Sequence, residues 1–319
     1  MSDATSPPTV GPPGVGEVTL EAGAGGFGGV ESQAAALGIR VQTQFGDIRR
    51  RFLRNKLAVV GLGMVGVVFL TALVAPVIAP SGPKAQNLSN TLASPSSAHW
   101  LGTDDLGRDQ LSRVIYGSRI AVVVGLATIL LALVIGVVLG SLSGYLGGAW
   151  DAVIMRVADV FFAFPVLIGA IVIVLVVGRG LAPVILALGI FSWATVARLL
   201  RSSILSVRES EYVEAARSLG AGRFRIVTRH VLPNSLAPVL VFAMVSVATA
   251  IVAEAGLSYL GVGLPPDVPD WGNMISTGQK FFGYKDFLWF FPSMAVVFTV
   301  LGFVFVGDGL RDALDPRLR

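Results

Sequence analysis

Cysteine is absent from the 319-residue sequence, and charged residues are scarce. Without cysteine, the chain can form neither a disulfide nor a thiolate metal site. Only 14% of the residues are charged, whereas ordinary soluble domains contain about a quarter. The two histidines, His99 and His230, have no partners at metal-ligand spacing and no Ser–His–Asp arrangement. These scarcities argue against a soluble domain, a metal site and a membrane hydrolase.

Long apolar runs take up much of the chain, and 54% of its residues are hydrophobic. About 20 apolar residues in a helix cross the hydrocarbon of a bilayer. Because a chain in lipid must satisfy its own backbone hydrogen bonds, such runs predict helices. The sequence therefore predicts an all-α membrane protein with six transmembrane helices, at about residues 57–80, 120–143, 158–178, 180–198, 234–256 and 287–307.

An even number of spans places both chain ends on one side of the membrane. If that side is the cytoplasm, the inside segments carry most of the lysines and arginines, as the positive-inside rule requires. We therefore predict a multi-pass protein of the inner or plasma membrane with both termini cytoplasmic. Residues 46–56, with the basic run RRRFLRNK, are expected to form an interfacial elbow on anionic lipid headgroups. The net charge of +4 then requires no nucleic acid partner.

Two segments outside the spans are distinctive in composition. Residues 1–45 are rich in Gly, Pro, Ser and Thr and are expected to be a disordered cytoplasmic tail. Residues 211–234, EYVEAARSLGAGRFRIVTRHVLPN, are charged although they lie between two apolar spans. Each charge would cost about 2.5–3.5 kcal/mol at the bilayer centre, so this segment lies outside the hydrocarbon.

Local signals in the charged segment predict a helix–turn–helix elbow. Ser206 and Glu209 have the spacing of a capping box at the start of a helix. Gly220 follows, where helices often end in a left-handed residue. RFRIVTRH can form a second short helix. Leu232-Pro233-Asn234 should end it, because proline disfavours helical geometry in the residue before it, and should start the fifth span. The first helix carries an apolar stripe at helical spacing, formed by Tyr212, Ala215, Ala216 and Leu219.

The run EAARSLGAGRFRIVTRHVLP resembles the EAA motif of permease subunits of ABC importers. Glu214, Ala215, Ala216, Gly220, Leu232 and Pro233 match the motif, whereas His230 replaces its aliphatic residue. The resemblance implies the type I ABC importer permease fold, with a coupling elbow at 206–229 inside a cytoplasmic loop, 199–233. In that family the elbow docks on a separate ATPase subunit. The implied coupling residues are Glu214, Ala215, Ala216, Arg217, Leu219, Gly220, Arg223, Leu232 and Pro233.

Further segments resemble the dipeptide and oligopeptide branch of that family: 49–62, 99–125, 254–275 and 306–317. The resemblance implies a permease domain at 57–319, with an external segment at 81–117 and an external loop at 257–286. Its expected partners are membrane lipids, a second homologous permease, two ABC ATPase subunits, an external substrate-binding protein and a di- or oligopeptide substrate. Related permeases carry nickel or glutathione, so either cargo is an alternative.

A phosphate loop would be needed if this chain hydrolysed ATP itself. GPPGVGEV, residues 11–18, has the glycine spacing, but Glu17 and Val18 replace the required lysine and hydroxyl residue. We therefore expect no enzymatic activity and no cofactor in this chain, with ATP and Mg bound by partner ATPases.

Two carboxylates within the predicted spans are candidate gate or pathway residues. Glu254 lies near the outer end of the fifth span, where intramembrane carboxylates are often functional. It is slightly better explained by a bond to a neighbouring helix or to backbone near Gly256. Asp159 is expected to pair with Arg156 at the inner end of the third span.

Two outer segments complete the set of candidates. In GTDDLGRDQLSR, Thr103 is expected to cap a helix, and its charged residues are expected to form surface ion pairs, namely Asp105, Arg108 and Asp109. GVGLPPDVPDWGN, too rich in Pro and Gly for a regular helix, could serve as a lid.

Two functions from other classes remain alternatives. A self-sufficient secondary transporter would show an internal repeat and more intramembrane charge, and the sequence has no convincing repeat. A membrane scaffold would share the docking elbow but would transport nothing.

Overall fold

The computed structural model describes residues 44–314, so the predicted tail at 1–45 lies outside the described residues except for its last two positions. The segment 11–18 also lies outside them. Within the described range the protein is helical and has no β-strand, which confirms the predicted all-α class. The helices are α1 Gln44–Arg54, α2 Lys56–Ile78, α3 Gln110–Leu146, α4 Gly148–Ala163, α5 Val166–Val177, α6 Leu181–Val207, α7 Glu211–Ser218, α8 Arg223–Ile226, α9 Leu232–Ser235, α10 Ala237–Tyr259, α11 Trp271–Gln279 and α12 Phe287–Leu314.

Five of the helices in residues 44–314 are long and apolar enough to cross a membrane: α2, α3, α6, α10 and α12. A sixth span exists if α4 and α5 are taken together, although they meet at an angle of 89°. The expected continuous third span is therefore broken. Phe164 is extended, with φ −99° and ψ 130°, because the following Pro165 disfavours helical geometry at that position.

The core of the bundle is the seam between α3 and α6, where small residues allow the two backbones to approach closely. A Cβ on Gly136 would lie 2.5 Å from the Cβ of Val196. A Cβ on Gly140 would lie 2.7 Å from the carbonyl oxygen of Ala197. Membrane helices associate largely through such van der Waals packing, because lipid provides no hydrophobic drive between them.

The connections between helices gather at two ends of the bundle. We call the end that carries α7, α8 and α9 the elbow face. The opposite end, the loop face, carries the segments 79–109 and 260–286, which contact each other. Lys84 pairs with Asp267, and the Lys285 ammonium donates to the Ser94 hydroxyl at 2.8 Å.

Candidate functional site

The elbow begins where α6 ends, at Val207, and α7 starts after Ser210. The predicted capping box is therefore wrong, because Ser206 lies inside α6. Packing extends α6 past that serine, since Leu200 and Ile204 are fully buried in the core. Ser210 instead donates its hydroxyl to the Val207 carbonyl oxygen at 2.6 Å, which tightens the turn between the two helices.

Gly220 forms the bend of the elbow, as predicted, with φ +81°. The N–H of Gly220 donates to the Arg217 carbonyl, and the N–H of Ala221 donates to the Ala216 carbonyl at 3.1 Å. This pair of bonds is a Schellman motif, which ends a helix at a left-handed residue. A Cβ on Gly220 would contact nothing within 4 Å, so the backbone angle, not crowding, favours glycine here.

The second arm of the elbow is helical for longer than expected. α8 is followed by a π-helical turn, Val227–Val231, and then by α9. The prediction that Leu232-Pro233 ends the arm is wrong, because Leu232 has helical angles and Pro233 lies in the first turn of α9. A first-turn proline loses no helical hydrogen bond. The helical run is interrupted only at Leu236, between α9 and α10.

Three apolar side chains anchor the elbow to the spanning helices. Val213, Ile226 and Val231 are buried in one cluster with residues of α3, α6 and α10. Burial of such a side chain stabilises a fold by about 1.5–3 kcal/mol. The half-buried His230 stands at the motif's aliphatic position, and its neighbour Val231 makes the apolar contact with the core. The elbow is fixed to both helices that it joins.

The other side of the elbow faces away from the bundle. Tyr212, Leu219 and Phe224 are 46%, 89% and 82% exposed, and we call these three side chains the elbow surface. Glu214 and Ala215 are exposed beside them, and Ala216 is half-buried. The predicted apolar stripe is therefore an outward surface with small residues at its centre. Leu232, by contrast, packs partly against the core.

Arginines dominate the inner side of the elbow. Arg208, Arg217 and Arg223 line a cavity of about 650 Å³ between the elbow and the end of α3, together with Glu209. Arg208 donates to the Gly144 carbonyl oxygen at 3.1 Å and so joins the elbow to α3. The elbow therefore combines an apolar outward surface with a positively charged recess behind it.

Residues 136–319, more than half of the chain, match the family described as "Binding-protein-dependent transport system inner membrane component". The chain belongs to that family. Residues 43–95 of the permease also match the "N-terminal TM domain of oligopeptide transport permease C". The multi-pass membrane location predicted from the apolar runs and the permease fold implied by the EAA resemblance are thereby confirmed.

Curated relatives resemble the permease over most of its length. It is 43% identical over 273 residues to the oligopeptide transport system permease protein OppC of Bacillus subtilis, covering 86% of the permease and 90% of the relative. It is 40% identical over 270 residues to the dipeptide transport system permease protein DppC of Alkalihalophilus pseudofirmus, covering 85% and 89%. It is also 40% identical over 283 residues to the glutathione transport system permease protein GsiD of Pectobacterium atrosepticum, covering 88% and 93%.

Glu254, a candidate gate residue, is buried inside the permease. Its carboxyl accepts a hydrogen bond from the Ser258 hydroxyl at 2.9 Å and lies near the carboxyl of Asp270. Asp270 also caps α11 by accepting from the N–H groups of Gly272 and Asn273. Burial raises the pKa of Asp270 above its ordinary value. Ser258 lies on α10 itself and not on a neighbouring helix, and the role of Glu254 stays a prediction.

Asp159 lies on α4 and pairs with a different arginine from the one expected. Its carboxylate lies 2.5 Å from the guanidinium of Arg198 on α6, not against Arg156. Arg198 also lies 4.1 Å from the ring centroid of Phe162. The pair is about half exposed, and it connects α4 to α6.

A second link between α4 and α6 was not predicted from sequence. Arg201 holds Asp151 through two bonds of 2.5 and 2.6 Å. The two residues are 50 positions apart, so no local spacing could have revealed the pair. It lies two turns before the elbow and positions the end of α6.

The expected pair of Asp105 and Arg108 is present on the loop face at 4.0 Å, but Arg108 is buried and not at the surface. Arg108 donates to Asp104 at 2.6 Å, and both side chains are less than 8% exposed. Asp109, not Thr103, caps α3 by accepting from the Ser112 N–H at 2.8 Å. Thr103 is buried in the preceding loop. The predicted cap at Thr103 is therefore wrong, since α3 begins only at Gln110.

Proposed function

We propose that this permease couples ATP hydrolysis in two separate ATPase subunits to the uptake of di- and oligopeptides. The observation that carries the proposal is the elbow, which is exposed on one side and anchored by Val213, Ile226 and Val231 on the other. The oligopeptide and dipeptide permeases among its relatives support the cargo. ATP and Mg are bound by the partner subunits, and this chain performs no chemical step.

The proposed mechanism is mechanical. Closure of the ATPases on ATP moves the elbow, and α6 and α10, which the elbow joins, then change the opening of the pathway. The pathway lies between this permease and a second, homologous permease, and an external binding protein delivers the peptide. In this arrangement the elbow face and both termini are cytoplasmic, and the loop face is external.

Glutathione is a second candidate cargo, since a glutathione permease is 40% identical to this chain. Both cargoes are tested by uptake into vesicles that contain the purified importer, with labelled dipeptide, oligopeptide and glutathione supplied in turn. Recovery of a second permease and ATPases with this chain in gentle detergent would support the proposed assembly. Transport by liposomes containing this chain alone would contradict it and favour a self-sufficient carrier.

Gly220→Val is expected to uncouple transport while the protein still inserts in the membrane. A β-branched residue at φ +81° costs about 1–2 kcal/mol, which changes a conformational population about 5–30-fold. We expect a loss of that order in peptide uptake and in the ATPase stimulation produced by loaded binding protein. Gly222→Ala is the matched control, because Gly222 has φ −65° and open space around it. Unchanged stimulation and uptake in Gly220→Val would overturn the role of the bend.

Glu214→Lys is expected to weaken ATPase binding, because Glu214 is exposed beside the elbow surface and the change reverses its charge. The measurement is the amount of ATPase that co-purifies with the permease at low and high salt. A surface ion pair contributes up to about 1 kcal/mol, so a few-fold loss at low salt is expected. Glu209→Lys, on the inner recess, is the control. Equal ATPase recovery with Glu214→Lys and wild type would refute the contact.

A further inference from the structure

A groove of about 530 Å³ lies on the outside of the bundle between α2 and α3. Its lining includes Gly66, Phe69, Leu70 and Leu73 of α2, with Arg119 and Val123 of α3. Leu70 and Leu73 are 60% and 77% exposed and form its apolar wall. A Cβ on Gly66 would contact nothing within 4 Å, so the groove stays open at this point. Because both helices are membrane spans, this groove faces hydrocarbon.

The groove covers about two thirds of the depth of one leaflet. α2 has 23 residues, and Gly66 lies at its middle. Leu73 is about 10 Å nearer the loop face at 1.5 Å per residue, and the hydrocarbon of one leaflet is about 15 Å thick. α3 runs in the opposite direction, so Arg119 lies at the loop-face end of the groove and Val123 lies one turn deeper. The groove is therefore apolar toward the middle of α2 and carries a positive charge at its loop-face end.

Arg119 is exposed and, among residues 44–314, has no hydrogen bond or ion pair with the protein. Arg108 and Arg113, by contrast, are buried and lie against Asp104. No carboxylate lines the groove. A guanidinium has five donors and needs acceptors, and phosphate oxygens accept two of its N–H groups in parallel.

We propose that this groove binds a phospholipid of the loop-face leaflet, with its phosphate on Arg119 and one acyl chain along α2 from Leu73 to Gly66. The positive charge selects the phosphate, and the apolar walls select the chain. A free phosphate has no acyl chain and would therefore make no contact with the apolar walls. A helix of another subunit in the groove would leave Arg119 without the acceptor that a lipid supplies. The proposal is independent of the cargo and of ATPase coupling.

The test is native mass spectrometry of the full-length permease in detergent, titrated with dioleoylphosphatidylglycerol. Arg119→Gln is expected to weaken the tightest-bound lipid about tenfold or more, because a charged hydrogen bond is lost. Arg179→Gln is the control, since Arg179 is an exposed arginine on the α5–α6 turn and does not line the groove. Gly66→Leu should also weaken binding, because it fills the groove while Arg119 remains. Both variants are first checked for a single gel-filtration peak.

Three outcomes would overturn the lipid site. The first is that wild type, Arg119→Gln and Arg119→Lys all bind the lipid with equal affinity, which would show that Arg119 does not hold the phosphate. The second is displacement of the lipid by glycerol 3-phosphate, which would make the site a phosphate site without a role for the groove. The third is loss of the lipid when the complete importer is assembled, which would show that another subunit fills the groove.

Discussion

Arg113→Met is expected to destabilise the permease by about 3 kcal/mol or more, because two hydrogen bonds from a buried charged group are lost and each contributes about 1.5–3 kcal/mol. Arg113 is 2% exposed and donates to the carbonyl oxygens of Pro83 and Val268 at 3.2 and 3.4 Å. Its Nε lies 3.8 Å from the carboxylate of Asp104, and its charge also attracts Asp270. Methionine fills similar space but removes the donors to the Pro83 and Val268 carbonyl oxygens and one of the two arginines beside Asp104, which keeps Arg108.

The measurement is the temperature at which the detergent-solubilised protein loses its gel-filtration peak. Arg113→Met should melt well below wild type, and Arg113→Lys should fall between them because it keeps the charge but loses the planar fork. Arg179→Met, which changes an exposed arginine, is the matched control and should melt like wild type. If the Arg113 and Arg179 variants melt together, Arg113 does not hold the loop face together.

Gly272→Val is expected to separate α11 from α10 and to abolish uptake. A Cβ on Gly272 would lie 2.2 Å from the Ala255 carbonyl oxygen and 2.8 Å from the Ala255 Cα. These are backbone atoms of α10, which cannot rotate away as a side chain would. Overpacking of this kind costs about 1–3 kcal/mol, and we expect the upper end of that range. The shift would also carry Asp270, the N-cap residue of α11, away from α10.

Gly256→Ala is the control for this prediction, since it lies one residue from Ala255 on α10 and has open space around it. Alanine in a helix interior gains about 0.5–1 kcal/mol over glycine, so this variant should melt at or above the wild-type temperature. The two variants are compared by melting in detergent and by peptide uptake in the reconstituted importer. Normal uptake by Gly272→Val would show that α11 does not need to contact α10.

The spans and the elbow bend were predictable because each depends on signals close together in the sequence. Apolar runs of helical length predict membrane crossings, and a glycine after a helix predicts a left-handed end, as found at Gly220. The first residues of the helices were harder to predict from the sequence. Ser206 has a capping spacing, yet burial of Leu200 and Ile204 carries α6 beyond it. Tertiary packing outweighed a local preference worth about 1 kcal/mol.

The ionic groups of the loop face could not be predicted, because their burial depends on contacts between distant segments. Arg113 is held by carbonyls 30 and 155 positions away in the chain. In sequence, the run GTDDLGRDQLSR resembles a solvated surface turn, since nothing in it indicates that two other loops cover it. The partner of Asp159 was missed for the same reason: Arg198 is 39 positions away.

The close approach of α3 and α6 limits how the permease can deform. If α3 slid along α6, it would have to move by about one helical turn, or 5.4 Å, before its glycines again lay opposite side chains that they can accommodate. A smaller slip would drive Val196 into the backbone beside Gly136. The two helices therefore keep their register and tilt as a rigid body. Since the elbow follows α6 directly and Asp109 caps the far end of α3, this body connects one face of the membrane to the other.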